Sequence, residues 1–399
     1  METRTLFRGL FLINFAITLG FGIADAFFSM YVFSLGARGF LLGLPLVFYS
    51  LSKILFSPFM GAWCDRIGPR RIAAASLGLY LFVSVCYLFT ASLPLITALR
   101  LLQGIGCAMF RPVVVSLVSG CTSNKERATV MGTFDMSFYG ALSMGPLLGG
   151  ILKDQWGFRG IFATLTLLCL LALAMALACI PAQRVTPRQA GHGAGGRFRD
   201  ILSVTRHSTL RGLLAFIFGR ACGISLLGAF LPIMLTTRLG LNGTRAGLVM
   251  ASSTLVMTLL LRPVGMLSDR APRKSLVVAG GTIVSLLYFL VPVAGGFCQI
   301  LVLGVGIGLF SVLSQPASTA LLVEEGSRHG MGVTVGTCNA VLNLGFVSGP
   351  LLGAGLQNTL GLTAVFYAAG LMGLGAVAVF VANSLCRLPA RGASTRGGN

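Results

Sequence analysis

Six ionisable residues sit inside long apolar runs, and they are where chemistry would be done: Asp25, Lys53, Arg100, Arg111, Asp135 and Arg220. A charged side chain near the middle of a bilayer costs about 2.5–3.5 kcal/mol even on insertion scales, so such residues mark function. Asp25 and Asp135 are the only acids among the six that can load and release a proton, since the 3 histidines fall in polar stretches or at helix ends. A desolvated carboxyl holds its proton more tightly, and a nearby cation loosens it. A solute that arrives or leaves can tip that balance, which is how proton movement would be coupled to cargo. Asp25 is the first candidate and Asp135 the second; a static ion pair tying Asp25 to Arg100 is the structural alternative.

Four cations against two acids leave an excess of positive charge in these runs. That balance suits a carboxylated, phosphorylated or zwitterionic solute, because arginine offers a forked grip on oxyanions. Lys53, Arg111 and Arg220 are the cationic candidates for holding it. Phe27, Phe28, Phe110 and Phe138 can supply an apolar wall, although packing against lipid explains most phenylalanines equally well.

The elements that must position these residues are membrane helices. Hydrophobic residues make up 55% of the chain and charged ones only 10%, far from the roughly one quarter that a soluble domain carries. The apolar runs suffice to cross a hydrocarbon core of about 30 Å. They divide the chain into twelve predicted spans: 9–35, 41–62, 72–94, 96–120, 128–153, 158–181, 209–235, 245–267, 275–294, 297–323, 331–356 and 361–386. Span direction places Asp25 and Arg100 at similar depth in the outer half, so an ion pair is geometrically feasible. The net charge of +20 is confined largely to alternate loops and the tails. By the positive-inside rule that asymmetry predicts cytoplasmic termini and excludes a nucleic-acid footprint. The first apolar run carries no cleavage site and is not read as a signal peptide. Ten cysteines are scattered without metal-ligand spacing and read as small buried hydrophobes.

The chain is also written twice. Gly61 and Gly265 are 204 positions apart, and the same offset links Asp65 to Asp269, Pro112 to Pro316, Gly132-Thr133 to Gly336-Thr337, and Gly145-Pro146-Leu-Leu-Gly149 to Gly349-Pro350-Leu-Leu-Gly353. By that offset Gln315 stands where the first half has Arg111, and Asn339 where it has Asp135; both are further candidates for solute contact. Predicted units are 1–181, a Pro-, Gly- and Arg-rich linker at 182–208, and 209–399 with a short basic tail.

Gly61-x-x-x-Asp65-Arg66-x-Gly68-x-Arg70-Arg71 resembles the loop 2–3 signature of the major facilitator superfamily, with a second copy at 265–274. Arg100-Leu-Leu-Gln103-Gly104-Ile-Gly106 resembles the span 4 signature of proton-coupled members. Gly140 through Gly145-Pro146-Leu-Leu-Gly149-Gly150 resembles the span 5 signature of twelve-span drug:proton antiporters. Trp63 and Pro272 depart from the loop pattern, where an aliphatic residue and a glycine are usual.

The resemblance implies an all-α polytopic membrane protein of two pseudo-symmetric six-helix bundles. It implies a gate at Gly61, Asp65, Arg66, Gly68 and Arg70, at Asp269 and Arg270, and at Gly145-Pro146. The aspartates are expected against helix N-termini, Asp65 near span 11 and Asp269 near span 5. Arg66, Arg70 and Arg270 are expected to pair across the same seam. The expected function is a monomeric, proton-coupled exporter of small organic anions, zwitterions, siderophore-like or drug-like molecules in a bacterial-type inner membrane, working by alternating access. An importer of such an anion shares every feature except the span 5 pattern, and a lipid-headgroup flippase is a third reading. No cofactor, metal or nucleic-acid partner is expected beyond the bilayer and the proton gradient. Enzyme chemistry is not expected, for want of a nucleophile–base pair or a phosphate-cradling loop.

Overall fold

The computed structural model describes residues 3–120, 127–180, 207–329 and 331–385, which are helical almost throughout and contain no strand. The helices are α1 (Thr3–Ser34), α2 (Phe40–Ile67), α3 (Pro69–Phe89), α4 (Leu93–Gly120), then Arg127–Cys179, α7 (Ser208–Thr237), α8 (Gly243–Arg270), α9 (Arg273–Leu290), α10 (Phe297–His329), α11 (Met331–Leu360) and α12 (Leu362–Leu385). The stretch Arg127–Cys179 is two helices joined at Gly157, whose φ of 65° and ψ of −162° no α-helix contains. They are α5 (127–156) and α6 (158–179). Without that break its 44-residue apolar part would extend about 66 Å, twice a hydrocarbon core. Twelve described helices therefore match the twelve predicted spans. Most of the predicted linker lies outside the described residues.

Local signals explain several boundaries. Gly68, at φ 97°, caps α3, and Pro69 supplies the first helical residue, where a missing N–H costs nothing. Asn242 caps α8 by accepting from the Arg245 amide at 3.0 Å. The turn Val291–Val293 closes α9 as a single 3₁₀ turn around Pro292.

The two halves repeat each other in packing as well as in sequence. α2 lies on α4 as α8 lies on α10, and α3 lies on α4 and α6 as α9 lies on α10 and α12. α1 packs on α5 and α6, and α7 on α11 and α12. Between halves the principal contacts are α5 with α8 and α2 with α11, with α1 touching α7. The start of α1, the end of α12 and the turns α2–α3 and α8–α9 mark one end, here the terminal end. The turns α1–α2, α5–α6, α7–α8 and α11–α12 mark the far end.

Both inter-half seams close near the far end by direct backbone approach. A methyl built on Gly43 of α2 would sit 2.7 Å from the Pro350 carbonyl oxygen of α11. Gly247 of α8 meets the Pro146 carbonyl of α5 in the same way. Both pairs obey the 204-residue offset, 43 with 247 and 146 with 350. Only glycine leaves room for these crossings. Fully buried Phe27, Phe28, Phe230, Phe366 and Phe380 fill the bundle interiors.

Candidate functional site

α1 and α4 bring Asp25 and Arg100 together. About 14 Å of helix separates Asp25 from the far end of α1, and about 10 Å separates Arg100 from the start of α4. The Arg100 Nη1 donates to Asp25 Oδ1 at 2.7 Å and to Gln103 Oε1 at 3.2 Å. Gln103 Oε1 also accepts from the Tyr87 hydroxyl at 3.1 Å. The guanidinium carbon lies 3.3 Å from the centroid of the Phe28 ring and 5.7 Å from that of Tyr49. Phe28 and Tyr87 are themselves held edge to face at 5.8 Å, and Tyr87 meets Phe162 at 5.2 Å. Such pairs add about 0.5–1.5 kcal/mol each beyond their burial, so the platform under the arginine is stiff.

Burial within the pair is unequal. The Arg100 side chain is 1% exposed and that of Asp25 38%. Arg100 Nε and Nη2 are buried without a hydrogen-bond partner, so Asp25, Gln103 and the ring faces carry the whole cation. The pair is thus open on the acid side and enclosed on the cation side. Loss of the carboxylate would leave the guanidinium in apolar surroundings.

Among the described side chains, neither Lys53 nor Arg220 is hydrogen-bonded or ion-paired to Asp25 or Arg100. Arg220, on α7, is half-buried in a pocket of the second half with Ser285, Ser311, Ser314 and Tyr288. Lys53 is half-buried on α2, and neither it nor Arg220 makes a hydrogen bond or ion pair within the described residues. Gln315 of α10 is half-buried with its Oε1 unpartnered. Asn339 of α11 is exposed, and its backbone carbonyl accepts from the Asn343 side chain at 2.8 Å. The side chains of Arg111 and Asp135 lie outside the described residues.

Of the predicted gate, Gly61 and the side chains of Asp65, Arg66, Asp269 and Arg270 lie outside the described residues too. Arg70 bonds within its own half in this conformation, whose far end is closed. Its Nη2 donates to the Leu177 carbonyl at 2.8 Å, in the last turn of α6. It caps a helix of its own half instead of crossing the seam, since a cation is favoured at a helix C-terminus. Gly145 and Pro146 serve two interfaces. Gly145 abuts the Gly22 backbone of α1, a built methyl lying 2.6 Å from its Cα, while the Pro146 carbonyl meets Gly247 across the seam.

One residue that the sequence reading passed over stands out at the far end. Asp154, at the end of α5, accepts from the Gly243 amide at 2.6 Å, from the Thr244 amide at 2.7 Å and from the Thr244 hydroxyl at 2.7 Å. The available signal was its place four residues beyond Gly150 and its 204-residue counterpart, Asn358.

The profile described as Major Facilitator Superfamily matches residues 10–221 and 213–396. Multidrug resistance protein 2 of Bacillus subtilis is 23% identical over 356 residues, covering 88% of this chain and 88% of its own. The uncharacterized MFS-type transporter YhhS of Escherichia coli O157:H7 is 26% identical over 386 residues, 94% of this chain and 91% of its own. The solved structure of the nucleoside transporter NupG superposes with a TM-score of 0.80 at 11% identity, over 95% of this chain and 99% of that one. A bacterial homologue of the lysosomal transporter Spinster, described as inward-facing and unoccupied, gives 0.75 at 16% identity, over 96% and 95%.

Proposed function

Because the chain belongs to the major facilitator superfamily and is a multi-pass membrane transporter, not an enzyme, we propose that it couples proton movement to the export of small organic anions or zwitterions. The observation that carries this reading is the Asp25–Arg100 pair, with its acid part-exposed and its cation fully buried. Protonation of Asp25 breaks the pair and frees Arg100, so proton and conformation trade against each other across one contact. The surplus of cations over acids in the spans sets the sign of the cargo. Export is supported by the span 5 Gly-Pro pattern and by likeness to a protein named for multidrug resistance. In this reading the terminal end faces the cytoplasm and the far end the outside of a bacterial-type inner membrane, an orientation that the loop charge pattern supports. In this orientation the glycine–proline seams close the outer face, and the protein works as a monomer.

The deciding experiment measures uptake and efflux of labelled organic anions and cations in proteoliposomes under an imposed pH gradient. Proton-driven anion movement that Asp25→Asn abolishes, with solute binding retained, is the expected result. Transport indifferent to the gradient, or full activity in Asp25→Asn, overturns the coupling.

A further inference from the structure

We propose that the pocket around Arg220 is an oxyanion-binding subsite, which takes the carboxylate, sulfonate or phosphate head of the solute inside the second half. The proposal rests on the transport reading for the identity of its guest as cargo, and on its own geometry for the chemistry. The pocket opens between α7, α9, α10 and α12, with Arg220, Ser285, Tyr288, Ser311 and Ser314 among its lining residues. Its clear space of about 30 Å³ is room for one or two waters or a single anionic head, not a whole solute. The body of the guest would therefore lie outside, on the side where Ile224, one turn from Arg220, is exposed.

The polar groups in this pocket that have no hydrogen bond can all donate one. Ser285 gives its proton to the Gly281 carbonyl at 2.7 Å, and Ser314 gives its own to the Ser311 carbonyl at 3.1 Å. The Arg220 guanidinium and the Tyr288 and Ser311 hydroxyls make no hydrogen bond within the described residues. Arg220's electrostatic neighbours are two phenols, Tyr288 and, from the first half, Tyr139. No acid lines the pocket. The acids of the second half are Asp269, Glu324 and Glu325, the nearest along α10 being about 15 Å of helix from Ser314. A cation at this depth with no counter-charge among the described side chains is costly. An anion flanked by donors removes that cost, and a neutral amide of the same shape does not. Because Tyr139 belongs to α5, the guest's head would be sensed by both halves at once.

The test is ligand-dependent thermal stability of the purified full chain, with benzenesulfonate and benzoate set against benzenesulfonamide and benzamide. The two anions should raise the melting temperature in a saturable way and the neutral isosteres should not. Arg220→Gln should abolish the shift, while Arg220→Lys keeps it. In Ser311→Cys, read on the peptide carrying position 311, an anionic sulfonate thiol reagent should react about tenfold faster than a trimethylammonium one, and Arg220→Gln should erase the preference. No anion-specific shift in the wild type, or an equal shift in a folded Arg220→Gln protein, overturns the subsite. These readouts need neither gradient nor turnover. Anion-specific binding without proton-driven flux would sink the coupled-transport reading and leave the subsite standing; flux with no Arg220 dependence would do the reverse.

Discussion

Asp154 and Thr244 join the two halves of the protein through two hydrogen bonds of 2.7 Å, one to the Thr244 amide and one to its hydroxyl. With the Gly243 amide also on Asp154 and the Arg245 amide on Asn242, the first three N–H groups of α8 are satisfied by side chains. An aspartate at this position also faces the positive end of the α8 dipole. Removing it by Asp154→Ala should cost about 1 kcal/mol of far-end closure, roughly a fivefold shift toward opening. A cysteine placed at buried Ala246 and treated with a membrane-impermeant thiol reagent reads that shift. Labelling should rise several-fold with Asp154→Ala and less with Asp154→Asn; unchanged labelling would count against the cap as a closing contact.

The seam glycines make a sharper prediction. Gly43→Val drives a branched side chain into the Pro350 carbonyl, and Gly247→Val does the same to Pro146. Overpacking of this kind costs about 1–3 kcal/mol, and here the cost falls only on the closed far end. Both variants should keep their helical content by circular dichroism, label strongly at the far end and lose at least about tenfold in flux, since 1.4 kcal/mol is a factor of ten. A variant that transports normally would show that the seams do not have to close this tightly.

The Asp25–Arg100 pair offers a way to separate scaffold from coupling. Asp25→Asn takes the counter-charge from a buried guanidinium and leaves it only neutral amide oxygens, at positions 25 and 103, as acceptors, and losing one member of a buried pair costs about 3–5 kcal/mol. The exposure of Asp25 puts this case at or below the lower bound. The double change Asp25→Leu with Arg100→Met removes the stranded charge and should recover most of the melting temperature. Gradient-driven flux should stay absent in both. Recovery of flux in the double variant would reduce the pair to a structural tie.

Arg70 makes the opposite kind of prediction. Its contact is the Leu177 carbonyl at the end of α6. Arg70→Ala should lower stability by about 0.3–1 kcal/mol, as expected for a cation at a helix C-terminus, and leave far-end labelling unchanged. A large change in the rate of conformational exchange would restore a cross-seam role.

The features legible in the sequence were those encoded along the helix axis. Apolar run length located twelve spans, including the division near Gly157. The 204-residue offset anticipated that Pro146 and Pro350 would occupy matching places, and depth counting put Asp25 level with Arg100. Azimuth around each helix is not written in run length. Nothing in the spacing said that Arg70 would turn toward α6, or that neither Lys53 nor Arg220 would bond to the Asp25 pair. Asp154 escaped because a polar turn residue draws attention only once α8 is seen to start beside it. Gly43 and Gly247 belong to the same class, since their neighbours come from the opposite half.

Those two glycines also set how well the protein insulates. A membrane transporter must not leak ions as it cycles, and loose side-chain packing at a closed face leaves gaps through which water threads. Carbonyl resting on glycine leaves no such gap, because there is no flexible group between the two helices to swing aside. At these two crossings the far end is therefore closed by backbone and not by mobile side chains. Leakage past these seams during a cycle would then be low, whatever the cargo.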